Sequence, residues 1–133
     1  MIKNIIFDFD GVIVDSEILA SRAFTKYLND KGHEVQEEDF YCYAGMKTVQ
    51  VIDILSKKFQ IEDKKKFSLD IFEIVSHIYS KDLKLINGFW NFLLKSNRNH
   101  FIGSNSNKDR IVAGLKIVGL SNNFLKNKIY SFD

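Results

Sequence analysis

The run Ile5-Ile6-Phe7-Asp8-Phe9-Asp10-Gly11-Val12 constrains this chain more than any other segment. Residues Ile2 to Asp8 are largely apolar and β-branched. That is the pattern of a short strand buried on both faces at the centre of a parallel sheet. Gly11 breaks it. Asp8 and Asp10 stand two apart at its end, and on a regular strand side chains at i and i+2 share a face. In open α/β sheets, ligands bind beyond the carboxyl ends of the strands. Two carboxylates pointing together repel, so the pair requires a cation or a shared proton. Mg²⁺ suits it, because a hard ion takes carboxylate and carbonyl oxygens and keeps waters for a phosphate. A turn or a helix cap explains either aspartate alone, and explains both together less well.

After this strand the apolar period becomes helical. Leu19, Ala20, Ala23, Phe24, Tyr27 and Leu28 form one stripe within Ser16 to Lys31, and Gly32 suits the position after a helix end. A short helix over Glu37 to Tyr43 is expected next. Another starts near Thr48, a candidate N-cap, and runs through Phe59. A longer one spans about Asp63 to Tyr79, with Phe67, Ile71, Ile74, Val75 and Ile78 on one face. Four helices in succession, with no strand between them, point to a small helical bundle. Beyond Asn87-Gly88 the pattern alternates again. Phe89 to Lys95 is helical, His100 to Gly103 a strand, Lys108 to Val118 a helix, and Lys128 to Phe132 a strand, with Gly119-Leu120 fitting a helix stop. The expected fold is therefore α/β. A Rossmann-like parallel sheet core of about three strands (residues 1–14 and 84–133) carries an inserted helical-bundle cap (residues 15–83).

Composition narrows the function classes. A net charge of +2 in 133 residues is too even to argue for nucleic acid as the main partner. Lys64-Lys65-Lys66 reads as an exposed helix face or turn. The single cysteine, Cys42, precludes an intramolecular disulfide, in keeping with a reducing compartment. No stretch is long and apolar enough to span a bilayer, and the N-terminal apolar run, broken by Asp8 and Asp10, is no signal peptide. A soluble, cytoplasmic protein is expected.

The segment Asp8-Phe9-Asp10-Gly11-Val12-Ile13-Val14-Asp15-Ser16-Glu17 closely resembles the first motif of the haloacid-dehalogenase-like hydrolase superfamily. More narrowly, it looks like the branch of β-phosphoglucomutase-like phosphatases and mutases. The resemblance implies Mg²⁺ and an aspartyl-phosphate formed on Asp8. Asp10 would protonate the leaving oxygen and then activate water or a hydroxyl. Asp8 and, through its carbonyl, Asp10 would hold the metal. True dehalogenases of the superfamily lack a carboxylate at the position of Asp10, so phosphoryl transfer is favoured.

Ile102-Gly103-Ser104-Asn105-Ser106-Asn107 resembles the second motif, which implies that the Ser104 hydroxyl and the Asn105 N–H bind phosphate, and Gly11 is assigned to phosphate binding with them. Ser106 followed by Asp109 fits a capping box, and Ser106 is assigned to structure. Tyr43-Ala44-Gly45-Met46-Lys47-Thr48 resembles the substrate-facing cap segment, with Gly45 permitting a tight turn and Lys47 reaching an anionic group. A plain helix–helix connection explains it equally. His33, His77 and His100 lack metal-ligand spacing. Family members carry a third-motif lysine and further acidic residues beyond a segment like Ile129 to Asp133. Lys108, Lys126 and Lys128 are not in a matching context. Without those groups Mg²⁺ is expected to bind poorly, and the outer edge of the first strand is left open for pairing, with a second copy of the chain for example. The expected function is hydrolysis or isomerisation of a small phosphorylated metabolite such as a sugar phosphate. The alternative is an inactive fragment serving as a binding module.

Overall fold

The computed structural model describes residues 1–131. Its elements run β1 (Asn4–Phe7), α1 (Glu17–Asp30), a 3₁₀ helix (Glu37–Tyr43), α2 (Thr48–Lys58), α3 (Lys64–Asp82), α4 (Phe89–Lys95), β2 (Asn99–Gly103), α5 (Lys108–Ile117), a short 3₁₀ turn (Lys126–Lys128) and β3 (Ile129–Tyr130). The expected end of the last strand, Phe132, lies outside the described residues. Contacts divide the chain into two units, one of Met1–Ser16 with the segment from Leu83 onward, the other of Glu17–Asp82.

The first unit is built on a three-stranded parallel sheet in the order β1-β2-β3. Ile6 pairs with Phe101 and Phe7 with Ile102, and Ile102 pairs in turn with Ile129. Ile102 is fully buried and Ile129 nearly so, as befits the middle of the sheet. The expectation of a doubly buried first strand is corrected here. Ile6 is 68% exposed, so one face of β1 is open. Its other face is covered: Phe7 stands edge-on to Phe89 and Phe92, with ring centroids 5.1 and 5.8 Å away. A continuous apolar run signals two covered faces, and here only one is covered.

Helices α1, α2 and α5 end where the backbone turns left-handed. Gly32 (φ +88°) closes α1: its N–H donates to Asn29 O, and the His33 N–H reaches Leu28 O at 3.0 Å. Gly119 (φ +78°) closes α5 in the same way, with the Leu120 N–H on Leu115 O at 2.8 Å and both leucines buried. The end of α2 uses Gln60 (φ 53°) instead of glycine, with the Ile61 N–H on Ser56 O at 2.8 Å.

The second unit packs α1, α2, α3 and the 3₁₀ helix around Phe24, Leu28, Phe40, Leu55, Phe67 and Ile71. Tyr27 and Phe67 lie 4.7 Å apart between ring centroids. Asn29 ties the segment after α1 back to that helix: its side chain both accepts from the Val35 N–H (3.1 Å) and donates to the Val35 carbonyl (3.2 Å). Asp53 on α2 joins Lys57 at 2.7 Å and also Lys64 at the start of α3. These two hydrogen bonds hold its carboxyl down at about 2. Among the described residues no helix is long and apolar enough to cross a membrane.

Candidate active site

β1 stops at Phe7, so Asp8 and Asp10 do not belong to a regular strand. They are placed by a tight turn that Phe9 anchors. Phe9 is buried, and its carbonyl accepts from the N–H groups of Ile13 (3.0 Å) and Val14 (3.2 Å). Gly11 adopts φ +73°, and its N–H donates to the Val14 carbonyl at 2.8 Å. Only a residue without Cβ takes that conformation cheaply. The turn is fastened from outside by Asp15 N–H on Lys84 O (2.9 Å) and Ile86 N–H on Ile13 O (2.9 Å). The Phe9 ring rests against α5 at Gly114, where a Cβ would come within 2.7 Å of it. A glycine on α5 thus brings that helix against the turn that carries Asp10.

Asp10 is the hub. Its Oδ1 accepts from the Ser16 hydroxyl (2.5 Å) and Arg110 Nη2 (2.7 Å), and its Oδ2 from the Ser106 hydroxyl (2.6 Å) and Arg110 Nη1 (3.1 Å). A carboxylate has about four acceptor positions, so this one is fully engaged. Arg110 also donates to the Ser106 hydroxyl oxygen. The Ser104 hydroxyl oxygen joins the network by accepting from the Ser106 N–H at 3.1 Å. Asp8 stands exposed next to it, with Oδ1 accepting from the Phe9 N–H at 2.7 Å. Asn105 is exposed in the turn after β2.

Two sequence assignments change. Ser106 does not cap α5. Asn107 does, its side chain accepting from the Arg110 N–H at 2.9 Å, which leaves the Ser106 hydroxyl to Asp10. Thr48 does not cap α2 either. Lys47 holds that position, and its N–H donates to the Gln50 side chain at 3.3 Å. Gly45 (φ +80°) does form the tight turn, with the Met46 N–H on Tyr43 O at 3.0 Å. Gly45 and Lys47 belong to the helical unit. Sequence reasoning missed Arg110 and Ser16 altogether. Arg110 carried a faint signal, standing one turn past the second motif at the start of a helix.

Among the described residues no group of three or more His, Cys, Asp or Glu is placed to hold a metal ion. The Asp10 carboxylate is taken by a guanidinium and two hydroxyls. The donors expected for the metal, the Asp8 carboxylate and the Asp10 carbonyl, are by themselves too few oxygens for a hard divalent ion. The described residues do not complete a Mg²⁺ site.

The family model of haloacid dehalogenase-like hydrolases matches residues 5–133. The chain belongs to this family. Over 89 residues it is 30% identical to the 6-phosphogluconate phosphatase of Escherichia coli, a match that covers 65% of the chain and 40% of that protein. Its fold is similar to a haloacid dehalogenase-like protein of unknown function from Agrobacterium tumefaciens, with TM-score 0.79 and 30% identity over 98% of this chain and 59% of that one. It is also similar to a β-phosphoglucomutase from Clostridium difficile, with TM-score 0.73 and 23% identity over all of this chain and 62% of that one. The chain thus spans less than two thirds of each relative. Its three-stranded parallel sheet is an incomplete Rossmann-like core of the family, accompanied by the family's helical cap.

Proposed function

We propose that this chain carries the nucleophile-bearing part of a phosphatase or phosphomutase that acts on a small phosphorylated metabolite. A sugar phosphate or phosphorylated sugar acid fits, by analogy with the relatives. The observation that carries the reading is the division of labour between the two aspartates. Asp8 is exposed, with one carboxylate oxygen accepting from the Phe9 N–H, while Asp10 is held in place by four donated hydrogen bonds.

In this reading an Asp8 carboxylate oxygen attacks phosphorus, and the ester oxygen departs, taking a proton from Asp10. Water or a hydroxyl, deprotonated by Asp10, then attacks the aspartyl-phosphate and regenerates Asp8. Ser104 and the Asn105 N–H bind the transferring phosphoryl oxygens. Gly45 and Lys47, on the helical unit, are substrate-recognition candidates. The described donors do not complete a Mg²⁺ site.

The test is phosphate release from an aryl phosphate by the parent chain and by Asp8→Asn. Release by the parent that is lost in the variant supports the reading. Equal release by both, or none at high protein concentration, refutes it for this chain.

A further inference from the structure

We infer that Arg110 is a phosphate-binding residue of this site, its guanidinium passing from the Asp10 carboxylate to the oxygens of an arriving phosphoryl group. The inference rests on the phosphoryl-site reading above and adds to it a residue that no sequence motif supplied.

A phosphoryl group arriving at Asp8 brings negative charge to a place that already holds two carboxylates. It needs a cation, and the described residues form no metal cluster. Arg110 is the cation the geometry provides. It forks onto Asp10 at 2.7 and 3.1 Å, and through Ser106 it belongs to the same network as Ser104. The guanidinium fork that fits a carboxylate fits a phosphate equally well. The Asp10 and Arg110 side chains are 24% and 25% exposed, so the pair is open to an entering anion.

The exchange does not strand Asp10. When Arg110 leaves, the hydroxyls of Ser16 (2.5 Å) and Ser106 (2.6 Å) still donate to it, one to each oxygen. The two freed acceptor positions are those that a proton or a substrate hydroxyl would occupy. The other arginines are placed differently. Arg98 precedes β2, at the opposite end of the strands, and Arg22 belongs to the helical unit.

The experiment titrates inorganic phosphate, with EDTA present, into the parent chain, Arg110→Gln, Arg110→Lys and the exposed-lysine control Lys116→Gln. Affinity is read from amide chemical shifts and from the phosphate-induced rise in Tm. A charge-assisted pair of hydrogen bonds is worth roughly 10- to 100-fold in affinity. Arg110→Gln should therefore bind at least ~10-fold more weakly, Arg110→Lys should fall between, and Lys116→Gln should match the parent. A merely structural arginine would lower the starting Tm of Arg110→Gln and leave the phosphate increment intact, and that result overturns the inference. So does unchanged affinity in Arg110→Lys, which decides the matter if Arg110→Gln does not fold. Absence of phosphate binding in the parent itself overturns both this inference and the site reading. Binding in the parent that Arg110→Gln retains overturns this inference alone.

Discussion

Asp10 and Arg110 face each other as a two-pronged ion pair, with Nη2 to Oδ1 at 2.7 Å and Nη1 to Oδ2 at 3.1 Å, across 100 residues of sequence. The pair stitches the turn after β1 to the first turn of α5. Asp10→Asn keeps the shape but replaces one acceptor oxygen with an NH₂ group aimed at donors. Losing a charged partner at a part-buried site costs about 1–3 kcal/mol. Urea unfolding of Asp10→Asn is expected to show that loss, and its phosphate-release activity is expected to vanish. A variant as stable as the parent contradicts the pairing.

Gly114 makes a second, apolar contact between the same two elements. A methyl group there meets the Phe9 ring at 2.7 Å, and Phe9 is itself buried. Gly114→Ala gains up to about 1 kcal/mol of helix propensity but overpacks a closed contact at about 1–3 kcal/mol. The expected net is destabilisation, read as a lower urea midpoint with an unchanged slope. A stabilised variant would mean that α5 does not lie against Phe9.

These two contacts show what was legible in the sequence and what was not. Asp8, Asp10, Gly11 and Ser104 stood out through their resemblance to the family's motifs, in which residue types recur at short spacing. The helical stripes of α1 and α3 were visible because burial imposes their period. Arg110, Ser16 and Gly114 were not visible, because their roles come from elements that meet only on folding. Ser106 was misassigned because Asn107, one residue on, is an equally good cap and the spacing does not choose between them. The exposure of Ile6 was hidden because an apolar run does not say whether both faces of its strand are covered.

Gln60 ends α2 with φ 53°, where a side chain is strained and glycine is not. The neighbouring hydrogen bonds, Gln60 N–H to Lys57 O and Ile61 N–H to Ser56 O, do not involve its side chain. Gln60→Gly should therefore raise stability, by up to about 1 kcal/mol. Thermal unfolding checks the sign. A lower Tm for the variant would contradict the left-handed end of α2.

His100 sits beside Phe7 and Phe92 with Nε2 at 2.8 Å from the Ser96 hydroxyl. Burial, and then repulsion from Lys128, hold its pKa below the ordinary 6.5. The unfolded chain therefore takes up a proton at this residue more readily than the folded one. The stability His100 contributes is present above pH 6.5 and is lost as pH falls below that value. Unfolding free energies from about pH 7.5 down to about pH 5.5 should fall in the parent and fall less in His100→Gln. Parallel profiles would contradict the assignment.

Asp8 as nucleophile is the centre of the account, and a covalent label on that residue tests it most directly. The chain is incubated with an aryl phosphate, quenched in acid, reduced with borohydride and mapped by peptide mass spectrometry. An aspartyl-phosphate is reduced to homoserine, so the expected result is homoserine at position 8 in the parent and nowhere in Asp8→Asn. Phosphate release without a label at Asp8, or a label at another carboxylate, would contradict it.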